Sequence, residues 1–379
     1  MRTLLLELRC SSCGVSADAD RVQRRCGDCG GALLAHYDMG RGGPGLRQVL
    51  GRRPGLLRVH ELAPLRSHHF PTLGEGATPL LPGEGLAVEL DLPHLVIKDE
   101  GQNPSGSWEC RGVSVATARA RELGIGRISM RSAGDSARAA AAYGALQGLD
   151  VRLQIPEDSS AQLQDELRSR GAELQLLPWA QIQQPDGEAQ IGGDGGWLDL
   201  SAMAEPFRLE GAKTLGFELI YDLGRVPDAI LCPTGTGLAI AALGKAFDEM
   251  EALGWIAAVR PRLVAVQAES FAPLVHAFRK HRDQVQAWTR SSGGAPRELR
   301  CSAPQASALA LEALRSSRGT AIAVPEREIA AGQSLLARRL GLAGSGASGA
   351  CVAAARALRQ SGFLHREALV VAVSPSNGQ

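Results

Sequence analysis

Lysine is scarce in this chain. Of 41 basic residues in 379, only Lys98, Lys213, Lys245 and Lys280 are lysine, so any chemistry that needs a primary amine has four candidates. No sign of charge dominates either. Lys+Arg at 41 against Asp+Glu at 40 gives a net charge of +1, with no basic excess to suggest the footprint of a nucleic-acid binder. Apolar runs near the ~20 residues of a membrane span are missing. The apolar start of MRTLLLELRC is too short for a signal peptide and runs into a cysteine motif. A cytoplasmic protein is expected. A secreted disulfide framework is also missing: of eight cysteines, four form two close pairs, while Cys110, Cys232, Cys301 and Cys351 are scattered. What is present, 44% hydrophobic and 21% charged residues, suits a globular chain of two or three domains that needs no staples.

Residues 1–40 stand apart. Cys10-Ser-Ser-Cys13 is followed after twelve residues by Cys26-Gly-Asp-Cys29. Two C-x-x-C knuckles place four thiolates at the corners of a tetrahedron, which suits a structural Zn²⁺ with no open position. Gly14, Gly27, Gly30 and Gly31 supply the knuckle turns. Residues 41–72 read as a linker with one short helix, and His60, His68 and His69 within it as surface or packing residues. From about residue 73, apolar runs (LVIKDE, ISMRSA, VRLQIP, AILCP, RLVAVQAE, ALVVAVS) alternate with Ala-rich helical stretches. That alternation predicts βαβ units and a parallel sheet, an α/β fold. Segment 181–198, rich in glycine, reads as a loop.

Four segments together resemble threonine synthase, a fold type II enzyme family that uses pyridoxal phosphate (PLP). They are Leu73-Gly-Glu-Gly-Ala-Thr-Pro-Leu80, Lys98-Asp-Glu-Gly-Gln-Asn-Pro-Ser-Gly-Ser107, Glu210-Gly-Ala-Lys-Thr-Leu-Gly-Phe-Glu218 and Pro233-Thr-Gly-Thr-Gly-Leu238. The resemblance implies the fold type II (tryptophan synthase β-like) two-domain architecture with an N-terminal zinc-ribbon-like segment. The ribbon is expected at 1–40, a large α/β domain at 41–112 and 205–379, and a small α/β domain at 113–204. It also implies a homodimer.

The same resemblance marks where the chain departs. The family reads F-K-D-R-G after N-P-T/S-G-S, and its lysine forms the Schiff base with PLP. Here the stretch is Trp108-Glu109-Cys110-Arg111-Gly112. Glu109 holds the lysine position, and a carboxylate forms no imine. The family's S-S-G-N-T-A reads Ser132-Ala133-Gly134-Asp135-Ser136-Ala137, where Asp135 replaces an amide that also donates. The phosphate loop, Thr234-Gly235-Thr236-Gly237 after Pro233, is two glycines short, and such loops bind anions through backbone N–H groups. At the C-terminus Ser374 stands for the residue that partners the pyridine nitrogen, but Pro375 replaces a glycine. Ser348 falls where the family carries Glu.

Five departures together indicate a cofactor pocket converted throughout, with PLP not expected as a Schiff base. The ligand-binding candidates are Asn103, Ser105, Ser107, Ser132, Gly134, Ser136, Thr234, Gly235, Thr236, Gly237 and Ser374. The catalytic candidates are Glu109, Asp135 and Cys110, expected close together as an acid–base pair and a thiol. The expected function is a threonine-synthase-like protein binding or transforming a small amino-acid-like or anionic ligand, in specialised biosynthesis. Two alternatives stay open: a non-catalytic partner subunit of a PLP enzyme, and a PLP lyase that holds its cofactor non-covalently.

Overall fold

The computed structural model describes residues 3–67, 70–132, 134–183, 196–289 and 294–378. His68, His69, Ala133 and most of the expected loop at 181–198 lie outside them. The described residues contain thirteen strands: β1 Leu5–Cys10, β2 Ser16–Ala17, β3 Leu33–Tyr37, β4 Leu80–Pro82, β5 Leu95–Asp99, β6 Arg127–Arg131, β7 Asp150–Pro156, β8 Glu173–Leu177, β9 Trp197–Asp199, β10 Ala229–Pro233, β11 Arg262–Ala268, β12 Thr320–Val324 and β13 Val370–Ser374. All six apolar runs of the sequence form strands. Among the described residues no helix is long and apolar enough to cross a membrane.

The chain divides into two compact units. The first comprises Met1–Ala77, Glu109–Thr214 and Ala252–Trp255; the second comprises Thr78–Trp108, Leu215–Glu251 and Ile256–Gln379.

In the first unit, β2-β1-β3 form an antiparallel ribbon. A parallel sheet follows in the order β8-β7-β6-β9. Helices Glu109–Glu122 and Asp135–Gln147 contribute Val113, Ala116, Ala137, Ala140 and Ala141 to a core with Ile128, Leu153 and Ile155 of the sheet. Alanine suits these helices: it favours the conformation and leaves little bulk between helix and sheet. The ribbon is fastened to helix Glu109–Glu122 by Arg119, which is 1% exposed. Its guanidinium donates to Asp20 at 2.6 Å, the Ala19 carbonyl at 2.8 Å and Glu122 at 2.7 Å.

In the second unit, six strands run β12-β11-β10-β13-β5-β4, parallel except for β4. Strands β10, β11 and β13 are buried nearly end to end, as continuous apolar runs of a covered parallel sheet should be. Ser374 lies opposite Asp99 in the β13–β5 register, which sets the C-terminal segment beside the chain that leaves β5.

Candidate functional site

The four cysteines of the ribbon converge. Their sulfur atoms all lie within 4.8 Å of one another. The two knuckles repeat one local design. Gly14 N–H donates to the Cys10 carbonyl at 3.1 Å and Gly30 N–H to that of Cys26 at 2.9 Å. Both glycines adopt positive φ, +75° and +70°, which closes each turn at little conformational cost. Backbone N–H groups of Cys13 and Ser12 hold the Cys10 thiol down to about 6, against burial. This donor set fits a soft tetrahedral ion.

Glu109 opens helix Glu109–Glu122, and its carboxylate pairs with the Arg208 guanidinium. The pair meets because two backbones touch. A Cβ on Gly112 would sit 2.7 Å from the Arg208 carbonyl oxygen, and one on Gly211 would collide with the Arg111 carbonyl. Only glycine at both positions lets helix Glu109–Glu122 and the short helix Arg208–Ala212 close to this distance. Arg208 also donates to the Leu200 carbonyl at 2.8 Å and the Ser136 hydroxyl at 2.7 Å. Its own N–H and that of Phe207 donate to buried Glu205 at 2.8 and 2.6 Å. Burial raises the Glu205 carboxyl to about 7, against the pull of these N–H groups and of Arg208, and burial raises Asp199 as well.

Asp135 takes a different arginine. It lies in the first turn of helix Asp135–Gln147, where the helix dipole favours an anion. Its ion pair is with Arg138 at 3.4 Å, and Arg138 also holds Glu166 at 3.0 Å. The Ser132 hydroxyl caps the same turn, accepting from Gly134 and Ala137 N–H at 3.2 and 3.1 Å. Cys110, one residue beyond Glu109, is 0% exposed and sits in the apolar core. Beside it the Tyr143 hydroxyl donates to Glu75 at 2.8 Å. Burial, with Cys110 and Glu75 adding to it, holds that hydroxyl well above its ordinary range.

The remaining candidates belong to the second unit. Asn103 gives its amide hydrogens to Glu100, at 3.1 and 3.0 Å. The hydroxyls of Ser105 and Ser107 are buried with no hydrogen-bond partner among the described residues. Ser107 bridges to Ser376, and Trp108 N–H donates to the Pro375 carbonyl at 2.9 Å. Ser348 and Ser374 share a hydrogen bond at 2.8 Å. The short loop before helix Leu238–Ala252 is pinned along its length. Thr234 donates to the Cys232 carbonyl at 2.9 Å, and its own carbonyl accepts from Gln267 at 3.1 Å. The Thr236 hydroxyl accepts from Leu238 N–H at 3.3 Å and its carbonyl from Ala306 N–H at 3.0 Å. Gly235 lies where a Cβ would meet the Glu298 carbonyl at 2.7 Å, and Gly237 takes φ +87°.

Glu109 and Ser136 are therefore brought together on Arg208, while Asp135 keeps its own counter-ion and Cys110 faces inward. Arg208 was not among the sequence candidates. The signal was faint: it stands two residues before the Glu210-Gly-Ala-Lys motif, and an acid at position 109 calls for a base somewhere.

A profile of the family described as "Pyridoxal-phosphate dependent enzyme" matches residues 71–376. A threonine synthase of Methanocaldococcus jannaschii is 32% identical over 375 residues, covering 98% of this chain and 92% of that protein. One of Methanosarcina acetivorans is 31% identical over 386 residues, covering 98% and 91%. The fold is shared with maize serine racemase, at TM-score 0.67 and 16% identity over 80% of this chain and 88% of that one. It is shared too with the processed form of threonine deaminase isoform 2 from Solanum lycopersicum, at TM-score 0.66 and 17% identity over 80% and 84%.

Proposed function

The chain belongs to the pyridoxal-phosphate dependent enzyme family, and from that premise we propose that it is a threonine-synthase-like member whose pocket works without a lysine bound to the cofactor. The observation that carries this reading is the Glu109–Arg208 ion pair. The acid at position 109 is a built part of the fold, with a buried partner and a close backbone contact that holds it in place. Three of the four lysines are engaged elsewhere. Lys213 is 0% exposed against Glu210 at 2.5 Å, Lys98 lies between Glu218 at 3.1 Å and Asp222 at 2.9 Å, and Lys245 pairs with Glu249 at 2.5 Å. Lys280 is exposed at the end of helix Pro273–Arg279. The residues at this position do not fit a covalently held PLP.

What the chain's own groups offer is anion binding and fixed polar contacts. Two helix N-termini, those of Asp135–Gln147 and Leu238–Ala252, point partial positive charge at whatever their loops hold. The ligand is a small amino-acid-like or anionic molecule, the role is lyase-like work in a specialised biosynthetic route, and the assembly is a homodimer in the cytoplasm.

Purified protein mixed with PLP should show no visible band that borohydride bleaches, and no label on a lysine peptide. A bleachable band with a labelled lysine would overturn the proposal. Zinc in the ribbon is the second part of the reading, supported by the four converging thiols. Metal analysis should find about one equivalent in the native protein and none after Cys10→Ser; equal metal content in both would remove the ribbon from the account.

A further inference from the structure

The parallel sheet of the first unit has the order β8-β7-β6-β9. From β6 the chain builds outward through β7 to β8, then returns to place β9 on the other side of β6. The gap between β6 and β9 is a topological switch point, and open α/β sheets take their ligands outside the carboxyl ends of the strands at such points. Arg208 lies across the two loops that leave it. It donates to the Leu200 carbonyl, just past β9, and to Ser136, at the start of the helix that follows β6.

These two partners are neutral. A guanidinium whose side chain is only 4% exposed needs anions near it, because burying an uncompensated charge is expensive. Buried Glu205 and Asp199 lie within its electrostatic reach, but Glu109 is the carboxylate that meets the guanidinium directly, and it is the more exposed member of that pair, at 19%. The arrangement has the parts of a carboxylate-recognition site: a buried arginine, oriented by a carbonyl and a hydroxyl, with a charge-assisted bond directed at one carboxylate on the solvent side. The carboxylate comes from the chain itself.

We infer that Arg208 is the carboxylate-binding group of the switch-point crevice, and that Glu109 occupies it as an intramolecular stand-in for a small carboxylate ligand. This deepens the reading that the pocket takes an anionic ligand, by naming the group that binds it and the residue that competes with it. A ligand carboxylate engages Arg208 when Glu109 swings out, and Glu109 sets the threshold that the ligand must exceed. The absence of a lysine-linked cofactor is tested by the visible spectrum and stands or falls separately.

Removing the stand-in should create a vacancy that simple carboxylates fill. The test uses the full chain carrying Glu109→Ala, melted in sodium acetate, formate or propionate and in sodium chloride at matched ionic strength. The variant should melt below the wild type in chloride and recover saturably in acetate, since a ligand bound only by the folded state stabilises it with concentration. Wild type should gain nothing from acetate over chloride. The double variant Glu109→Ala with Arg208→Gln should lose the recovery. If Glu109→Ala is insoluble in chloride, refolding yield in acetate against chloride replaces the melt, and Glu109→Ser is run in parallel. The inference is overturned if acetate does no better than chloride, if the double variant responds equally, or if neither variant folds in either medium.

Discussion

Replacing Lys213 by methionine is expected to lower the unfolding free energy of the chain by about 3–5 kcal/mol. Lys213 and Glu210 pair at 2.5 Å with both side chains 0% exposed. Tyr37 donates to the same carboxylate oxygen of Glu210 at 2.7 Å, and the Lys213 ammonium lies 4.1 Å from the centre of the Tyr37 ring. Methionine keeps much of the stem volume but removes the charge, leaving the buried Glu210 carboxylate without the Lys213 ammonium. The penalty comes from that under-compensated buried charge more than from lost attraction. The double variant Lys213→Met with Glu210→Gln should therefore recover most of the loss, since replacing both members of a buried pair is often near neutral. Urea denaturation followed by far-UV circular dichroism measures it. A loss below about 1 kcal/mol for the single variant would mean that water reaches Glu210 and that the pair is worth no more than a surface one. The result also bears on chemistry. A lysine needed for stability at this depth is not a spare amine for the position that Glu109 holds.

Much of the fold was legible because it is written locally. Continuous apolar runs located β5, β6, β7, β10, β11 and β13. Of the strands that escaped, β12 is apolar and of ordinary length, and three others are short or polar. β4 ends in Pro82 at the sheet edge, β8 is largely exposed, and β9 has three residues. The cysteine ribbon was legible because spacing and glycine fix knuckle geometry within a few residues. The site was legible only in part. The acid at 109 could be read from the motif around it, but its partner lies 99 residues away, and no periodicity reports a pairing at that range. The expectation for Cys110 illustrates a second limit. Adjacent residues on a helix point about 100° apart, so Glu109 is partly exposed while Cys110 turns fully into the core. A motif read as a string places the two together, whereas the helix separates them.

Gly211→Ala is the second large effect, expected at about 3 kcal/mol or more, the upper end of what overpacking costs. The added methyl would collide with the Arg111 carbonyl and lie 2.8 Å from the Gly112 Cα. These are backbone atoms of a buried helix, which cannot swing aside as a flexible side chain would. Relief requires helix Arg208–Ala212 to move away from helix Glu109–Glu122, and that movement draws Arg208 from Glu109. Two consequences separate this account from general destabilisation. Glu109→Gln should cost less in the Gly211→Ala background than in the wild type, because the ion pair it weakens is already stretched; a double-mutant cycle of urea midpoints reads the difference directly. Gly112→Ala, which meets the Arg208 carbonyl at 2.7 Å from the other side of the same contact, should show the same non-additivity. If both glycine variants destabilise but add independently to Glu109→Gln, the backbone contact supports the fold without positioning the pair. If they do not add, two glycines set the distance at which an acid at the lysine position meets its arginine.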